Sequence, residues 1–286
     1  MYGPILSVML MGLIPVWENQ EIPSVLRDVR VAVPIVTAGR EPLELPRLSA
    51  SGIIIMDLDS AQTLHADGAD TPRPMASLTK LMTALVIAEN HDMEEWLKVP
   101  SSAASVSGSL AHLVAGQEFR VGDVMKGLIL NSGNDAAVAL AQFHSGSVNA
   151  FVQEMNARAR QLGLKATSFA NPIGLDDAEQ YSTARDLGWL AMFVLRRDEI
   201  RERMAMRSAE IRSRAGQRIG LSHTHLLLGQ NQAVVAGKTG TTDDAKQCLL
   251  SIVEVGGRRF VVVLLHSADR YRDMRAVVSA LASAES

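Results

Sequence analysis

At 286 residues, 47% hydrophobic and 21% charged, the chain suits one large domain or two modest ones, and it has the profile of a folded globular protein rather than a disordered one. A formal net charge of −3 with no basic stripe argues against nucleic acid as a partner. A single cysteine, Cys248, excludes an intrachain disulfide framework and a multi-cysteine metal site; in QCLLSIVEV it reads as a small buried hydrophobe of a strand.

The segment PILSVMLMGLIPVW, residues 4–17, carries no charge. It is short for a membrane span and about right for the apolar part of an export signal, although no Lys or Arg precedes it and no clear A-x-A site follows. Residues 1–20 therefore read as a hydrophobic export or anchor segment. Residues 21–48, with four prolines and weak periodicity, read as a linker holding one short strand. From Ser51, SGIIIMDLDSAQTLHADGAD predicts strand, turn, strand. RPMASLTKLMTALVIAEN, residues 73–90, opens a helix with apolar residues at roughly helical spacing. Residues 91–200 are mainly helical: VGDVMKGLILNSGNDAAVALAQFH, SVNAFVQEMNARARQLGL and STARDLGWLAMFVLRR, the last capped by Ser182 or Thr183. Between the last two, KATSFANPIGLDDAEQY is rich in turn residues and reads as a loop. Beyond residue 205, QAVVAGKTGTT, KQCLLSIVEV and RRFVVVLLHSA are predicted strands, the last two a hairpin around GGR, and RDMRAVVSALASA a closing helix. Strands at both ends and helices between them predict an α+β fold, in which the chain returns to one antiparallel sheet.

Ser77 and Lys80 interrupt the apolar surface of the first helix. Three residues apart, they share a helical face and can touch. A plainer reading makes Ser77 an N-cap and Lys80 a solvated first-turn lysine, but a cation there meets the unfavourable end of the helix dipole. Two further short patterns matter: Ser132-Gly133-Asn134 in NSGND, and Lys238-Thr239-Gly240 in AGKTGTT. Each is weak alone, as the second Ser-x-Asn at Ser147–Asn149 illustrates. The order S-x-x-K, S-x-N, K-T-G, each in a suitable element, is the set of the penicillin-binding proteins and class A β-lactamases.

PMASLTKLMTAL, LNSGNDAAVALA, MNARARQLGLKATSFANPIGL, YSTARDL and GKTGTT…CLL extend the match from about Ser51 to Ala276. In these blocks and their order the sequence resembles the low-molecular-mass penicillin-binding proteins of the D-alanyl-D-alanine carboxypeptidase type, the S11 serine peptidases. The resemblance implies a β-lactamase/D,D-peptidase (transpeptidase-like) fold. Residues 49–286 would form the catalytic domain, with a helical lobe at about 91–200 inserted in it. The C-terminal β-rich domain and membrane helix of many relatives are not expected here, so any membrane tether is expected to be N-terminal.

The residue types fit the chemistry. Serine is a weak nucleophile and needs a base within hydrogen-bond reach. No Ser-His-Asp pattern is present, and Lys80 can serve if it is neutral. Partial desolvation and a second cation, Lys238, are expected to lower its pKa, while Lys238 stays charged. The resemblance supplies the remaining roles. Ser132 would pass a proton to the leaving amine, and Asn134 would bind the substrate backbone and steady Lys80. Lys238 and Thr239 would attract the substrate carboxylate, with Gly240 beside them. The backbone N–H groups of Ser77 and Thr241 would form the oxyanion hole. In DRYRD, Arg272 is assigned to the carboxylate, with Arg270 second. The implied partners are a peptidoglycan stem peptide as substrate and β-lactams as inhibitors. No cofactor or metal, a monomer, and an extracytoplasmic location are expected.

Three alternatives remain. D,D-endopeptidase action would use the same residues. A β-lactamase of class A needs Glu-x-x-x-Asn, and no glutamate here has an asparagine four residues on. A wall-binding protein that has lost catalysis is disfavoured because every motif residue is present. His223 and His225, alternating in SHTHLLL, would share a face on a strand, but no third metal ligand is evident nearby.

Overall fold

The computed structural model describes residues 43–285. The predicted export segment and the linker as far as residue 42 lie outside the described residues. The end of that linker packs: Leu43 is buried against the core.

β1 (Gly52–Asp57) is buried at all six positions, which is why it reads as a β-branched run rather than an alternation. It pairs antiparallel with β2 (Thr63–Asp67) on one side and β9 (Arg258–Ser267) on the other. β8 (Lys246–Val255) and β7 (Val234–Thr242) complete a sheet of order β2-β1-β9-β8-β7. Gly256 and Gly257, both at positive φ (59° and 75°), make the tight β8–β9 turn, a conformation glycine adopts without steric cost. The first two strands thus join the last three, as the pattern predicted, and β7 is left as an edge.

Two apolar layers cover the sheet. α8 (Arg270–Ala284) buries Met274, Val277 and Leu281 on one face against Ile53, Ile55, Val262 and Leu264. On the other face, Ile54, Met56, Val261 and Val263 join the larger core of the helical lobe. Asp273 on α8 ties the incoming chain to this scaffold. Its carboxylate accepts from Ser49 N (2.9 Å), Ser49 Oγ (2.7 Å), Ala50 N (2.9 Å) and Ser267 Oγ (2.7 Å).

A 3-10 turn (Ala76–Thr79) leads into α1 (Lys80–Asn90), buried from Lys80 to Ala88. A helix apolar on every side belongs in the centre of a lobe. α3 (Val121–Ile129), α4 (Asn134–Ser145) and α5 (Val148–Gln161) surround it, and α6 (Ala184–Val194) lies between it and β1. The run predicted as one helix from 121 to 144 is broken between α3 and α4, where Ser132 adopts φ 56°. The first helix also begins later than its apolar pattern: Arg73 lies in a bridge with Ser182, Ala76 holds φ 48°, and the 3-10 turn precedes α1. α2 (Ser101–Ala104) and α7 (Asp198–Ala205) are short. Two ribbons lie outside the predicted strands: β3 (Trp96–Lys98) with β4 (Glu118–Arg120), and β5 (Ser208–Arg212) with β6 (Arg218–Ser222). β6 ends at Ser222, so His223 and His225 sit in a connection and not on the strand their alternation suggested.

Candidate active site

Three elements meet at one end of β7. The 3-10 turn presents Ser77, the α3–α4 break presents Ser132 and Asn134, and β7 presents Lys238 to Thr241. Gly240 is what lets them meet. A Cβ there would lie 2.9 Å from Ala76 Cβ, 2.9 Å from Ser77 N and 3.1 Å from Met75 O. Ala76 itself holds φ 48°. Left-handed backbone at non-glycine residues is costly and persists where the surroundings over-determine it, often at functional sites. Here Ala76 and Ser132 flank the same cleft.

Lys80 is wholly buried. Its Nζ donates to Asn134 Oδ1 (2.8 Å) and to the Ile173 carbonyl (2.6 Å), and lies 2.9 Å from Ser77 Oγ. Burial pushes its pKa down to about 7, and the Asp135 carboxylate offsets this only in part. Asn134 is fixed in turn, its Nδ2 donating to Ser107 O (2.7 Å). The Asp135 carboxylate accepts from Ala111 N (2.8 Å) and Leu113 N (2.9 Å), which ties the 105–113 loop to the start of α4.

A second Ser–Lys pair faces the first. Lys238, also wholly buried, donates from Nζ to Ser132 Oγ (2.7 Å) and to Thr239 O (2.9 Å). Burial holds its pKa well below the ordinary lysine value, and the charges of Lys80 and Arg270 press in the same direction. Of the two causes expected for Lys80, desolvation leads, and the repulsion between the two amines acts on both members of the pair. Lys238 was expected to stay charged; its burial works against that charge.

Thr239 Oγ1 shares a 2.6 Å hydrogen bond with Thr224 Oγ1. Arg270, not Arg272, reaches β7. Its Nη1 donates to Gly240 O (2.8 Å) and Thr241 Oγ1 (2.8 Å), whereas Arg272 contributes its backbone N–H to the Asp269 cap and leaves its side chain exposed. The reason is helical phase. Arg270 is the first residue of α8 and faces the sheet edge, and two residues on the helix has turned by roughly 200°. Behind β7, His223 and His225 are held neutral, with burial first among the causes pushing their pKa values to about 3 and about 4. His225 Nε2 bonds Ser251 Oγ (2.8 Å), and no group of three or more His, Cys, Asp or Glu among the described residues could hold a metal ion. Cys248 lies opposite Gly240 on β8, buried, its thiol pushed up to about 11.

Residues 38–269 match the family model described as D-alanyl-D-alanine carboxypeptidase, Peptidase_S11. The chain belongs to this family. Among curated relatives it is 35% identical over 231 residues to a D-alanyl-D-alanine carboxypeptidase of Bacillus subtilis, covering 79% of this chain and 59% of that one. It is 28% identical over 243 residues to a D-alanyl-D-alanine endopeptidase of Escherichia coli, covering 82% and 77%. The chain thus spans about three-fifths of the length of the B. subtilis carboxypeptidase. Among solved structures, the Streptomyces K15 DD-transpeptidase superposes with a TM-score of 0.78 at 28% identity, over 83% of this chain and 98% of that one. A D-alanyl-D-alanine carboxypeptidase of Mycobacterium tuberculosis superposes equally well, also 0.78 at 28% identity, over 85% and 93%. The α+β fold expected from the S11 resemblance is the one observed.

The sequence reading assigned no role to the Ile173 carbonyl, Thr83, Gln180, Thr224 or Asp135. Asp135 stood inside the quoted NSGND. The Ile173 contact runs through a backbone oxygen and has no side-chain signature.

Proposed function

We propose that this S11 family member is a serine D,D-carboxypeptidase that removes the terminal D-Ala of peptidoglycan stem peptides. The observation that carries the reading is the 2.9 Å contact between Ser77 Oγ and the buried, weakly basic Nζ of Lys80. Ser77 gives its proton to Lys80 as Oγ attacks the carbonyl of the penultimate D-Ala. The oxyanion is received by the backbone N–H groups of Ser77 and Thr241, on the two walls that Gly240 keeps in contact. The C–N bond then breaks. Ser132, bonded to Lys238, relays a proton to the departing amine, and free D-Ala leaves. Water attacks the acyl-Ser77 ester by the reverse relay. Thr239, Lys238 and Arg270 bind the substrate carboxylate, and the incoming anion restores the charge that burial discourages on Lys238. A β-lactam acylates the same serine as a mimic of the D-Ala-D-Ala terminus.

Such a substrate places the enzyme outside the cytoplasm, and we infer that it works there as a monomer, with residues 49–286 as its catalytic domain. No helix among the described residues is long and apolar enough to cross a membrane. Action on cross-links is the second reading, favoured by the relatives named endopeptidase. The β-lactamase reading has less support. The loop that would carry its glutamate lays a backbone carbonyl on Lys80, and Glu179 is exposed.

The test is intact-mass analysis after adding a penicillin, for wild type and Ser77→Ala, with D-Ala release from diacetyl-Lys-D-Ala-D-Ala and cleavage of a cross-linked dimer followed in parallel. A lasting adduct at Ser77 with D-Ala release supports the carboxypeptidase. Dimer cleavage without D-Ala release shifts the assignment to endopeptidase. A rapidly hydrolysed adduct with little peptide turnover points to β-lactamase, and no adduct at all removes every acylation reading.

A further inference from the structure

A neutral lysine amine has two N–H donors and one lone pair. Of the three groups within hydrogen-bond reach of Lys80 Nζ, the Asn134 and Ile173 oxygens can only accept, because Asn134 Nδ2 is committed to Ser107 O. If each takes one N–H, the lone pair is left facing the remaining neighbour, the Ser77 hydroxyl. Two acceptors thus aim a base.

One of these acceptors is backbone, on the 167–182 loop, and that loop is fastened to the two helical turns that carry Ser77 and Lys80. Thr83 Oγ1 donates to Pro172 O (2.8 Å), one peptide before the Ile173 carbonyl. Gln180 Oε1 accepts from Ala170 N (2.6 Å) and Asn171 N (3.1 Å), while its Nε2 donates to Thr79 Oγ1 (2.7 Å). Asn171 Oδ1 gathers Gly174 N (2.7 Å), Leu175 N (3.1 Å) and Ile173 N (3.3 Å). Gly174, at φ +87°, passes so near the nucleophile turn that a Cβ would lie 2.0 Å from Ala76 O. Thr79, Thr83 and Gln180 are all essentially inaccessible to solvent. A loop needed only as a surface connection has no use for such buried polar anchors, each of which must be satisfied to avoid a desolvation cost.

We propose that Thr83 and Gln180 are positioning residues for the general base: by fixing the Ile173 carbonyl, they turn the Lys80 lone pair onto Ser77 and keep water from the amine. The inference rests on the Ser77–Lys80 chemistry proposed above. In the step it serves, the Ser77 O–H bond breaks and an N–H bond forms on Lys80, so no other reactant is required. Loosening the loop has two separable consequences. The amine turns away from Ser77, which slows acylation. Water reaches the amine, which returns its basicity toward that of an ordinary lysine, since burial is what depresses it.

The experiment is the rate of Ser77 acylation by a penicillin as a function of pH, for wild type, Thr83→Val, Thr83→Ser and Gln180→Ala. Thr83→Val keeps the shape and removes the bond to Pro172. It should slow acylation about tenfold at pH 7 and move the acid limb of the profile up by about half a unit or more. Thr83→Ser, which restores the hydroxyl, should recover both. Gln180→Ala frees the loop from its other end and should move the limb in the same direction, so the conclusion does not depend on one variant folding. Absence of any Ser77 adduct in wild type would remove the functional reading itself. With wild type acylated normally, an acid limb that stays in place or moves down in the variants, whatever their rates, overturns the positioning role alone.

Discussion

Arg270 spans the gap between α8 and the edge strand to donate to the Thr241 hydroxyl at 2.8 Å, and it does so from the start of a helix otherwise on the far side of the sheet. The contact puts a fixed cation next to the residues assigned to the substrate carboxylate. Arg270→Ala should raise KM for D-Ala-D-Ala peptides about thirtyfold, the equivalent of about 2 kcal/mol for a lost charge-assisted hydrogen bond, with a smaller effect on kcat. Arg272→Ala should leave both within twofold. Steady-state kinetics of the two variants decides it, and the opposite ranking would return the role to Arg272.

The base must be neutral to accept the Ser77 proton. With the Lys80 pKa lowered to about 7, the reactive fraction rises through neutrality, and acylation falls about tenfold for each pH unit below it. Stopped-flow acylation between pH 5 and 9 checks this. A rate that does not change across that range would mean Lys80 is not the group that titrates.

His223 and His225 make a different pH prediction. Their native pKa values, about 3 and about 4, lie below the unfolded value of 6.5. Between those limits the unfolded chain binds protons that the native state does not, so stability rises with pH and is lost on acidification from about 6.5 to about 3. Thermal melts should show Tm falling across that window. His223→Gln should flatten the fall, and an unchanged slope would show that other groups cause it.

Gly240→Ala tests the contact between β7 and the nucleophile turn. The added methyl would sit 2.9 Å from Ser77 N, against backbone that cannot swing aside. Acylation should drop by a factor of 100 or more, the scale on which small misplacements in a reacting site are felt. The far-UV spectrum and Tm should change little, because β7 is an edge strand and can shift. Acylation near the wild-type rate would show the two walls to be looser than the structure has them.

Most of the scaffold was readable before the structure. GIIIMD, KQCLLSIVEV and RRFVVVLLHSA are apolar runs bounded by turns, and they became three neighbouring strands. Ser77 and Lys80 stood out as polar groups on an otherwise apolar helix, Ser132, Asn134 and Lys238 through the order of the three motifs, and the fold brings all five to one cleft. What escaped follows from physics that a linear pattern does not carry. The α3–α4 break turns on the left-handed Ser132, in a stretch whose hydrophobic period continues on both sides. The ribbons β3–β4 and β5–β6 are short, and partner strands supply most of what holds them. Arg270 and Arg272 are indistinguishable until the phase of α8 is known. How far Lys80 and Lys238 are depressed depends on burial, which only the assembled lobe defines.

The state of Cys248 has a practical side. It is the sole cysteine of the chain, enclosed, and its thiol is held up to about 11. At neutral pH it is neither ionised nor reachable, so maleimides and iodoacetamides will pass the folded enzyme by. One new cysteine at an exposed position on the rim, such as Ser109→Cys, would then be the only site to take a dye. The native sulfur need not be mutated first, and binding of the proposed substrate could be followed optically in an otherwise unaltered chain.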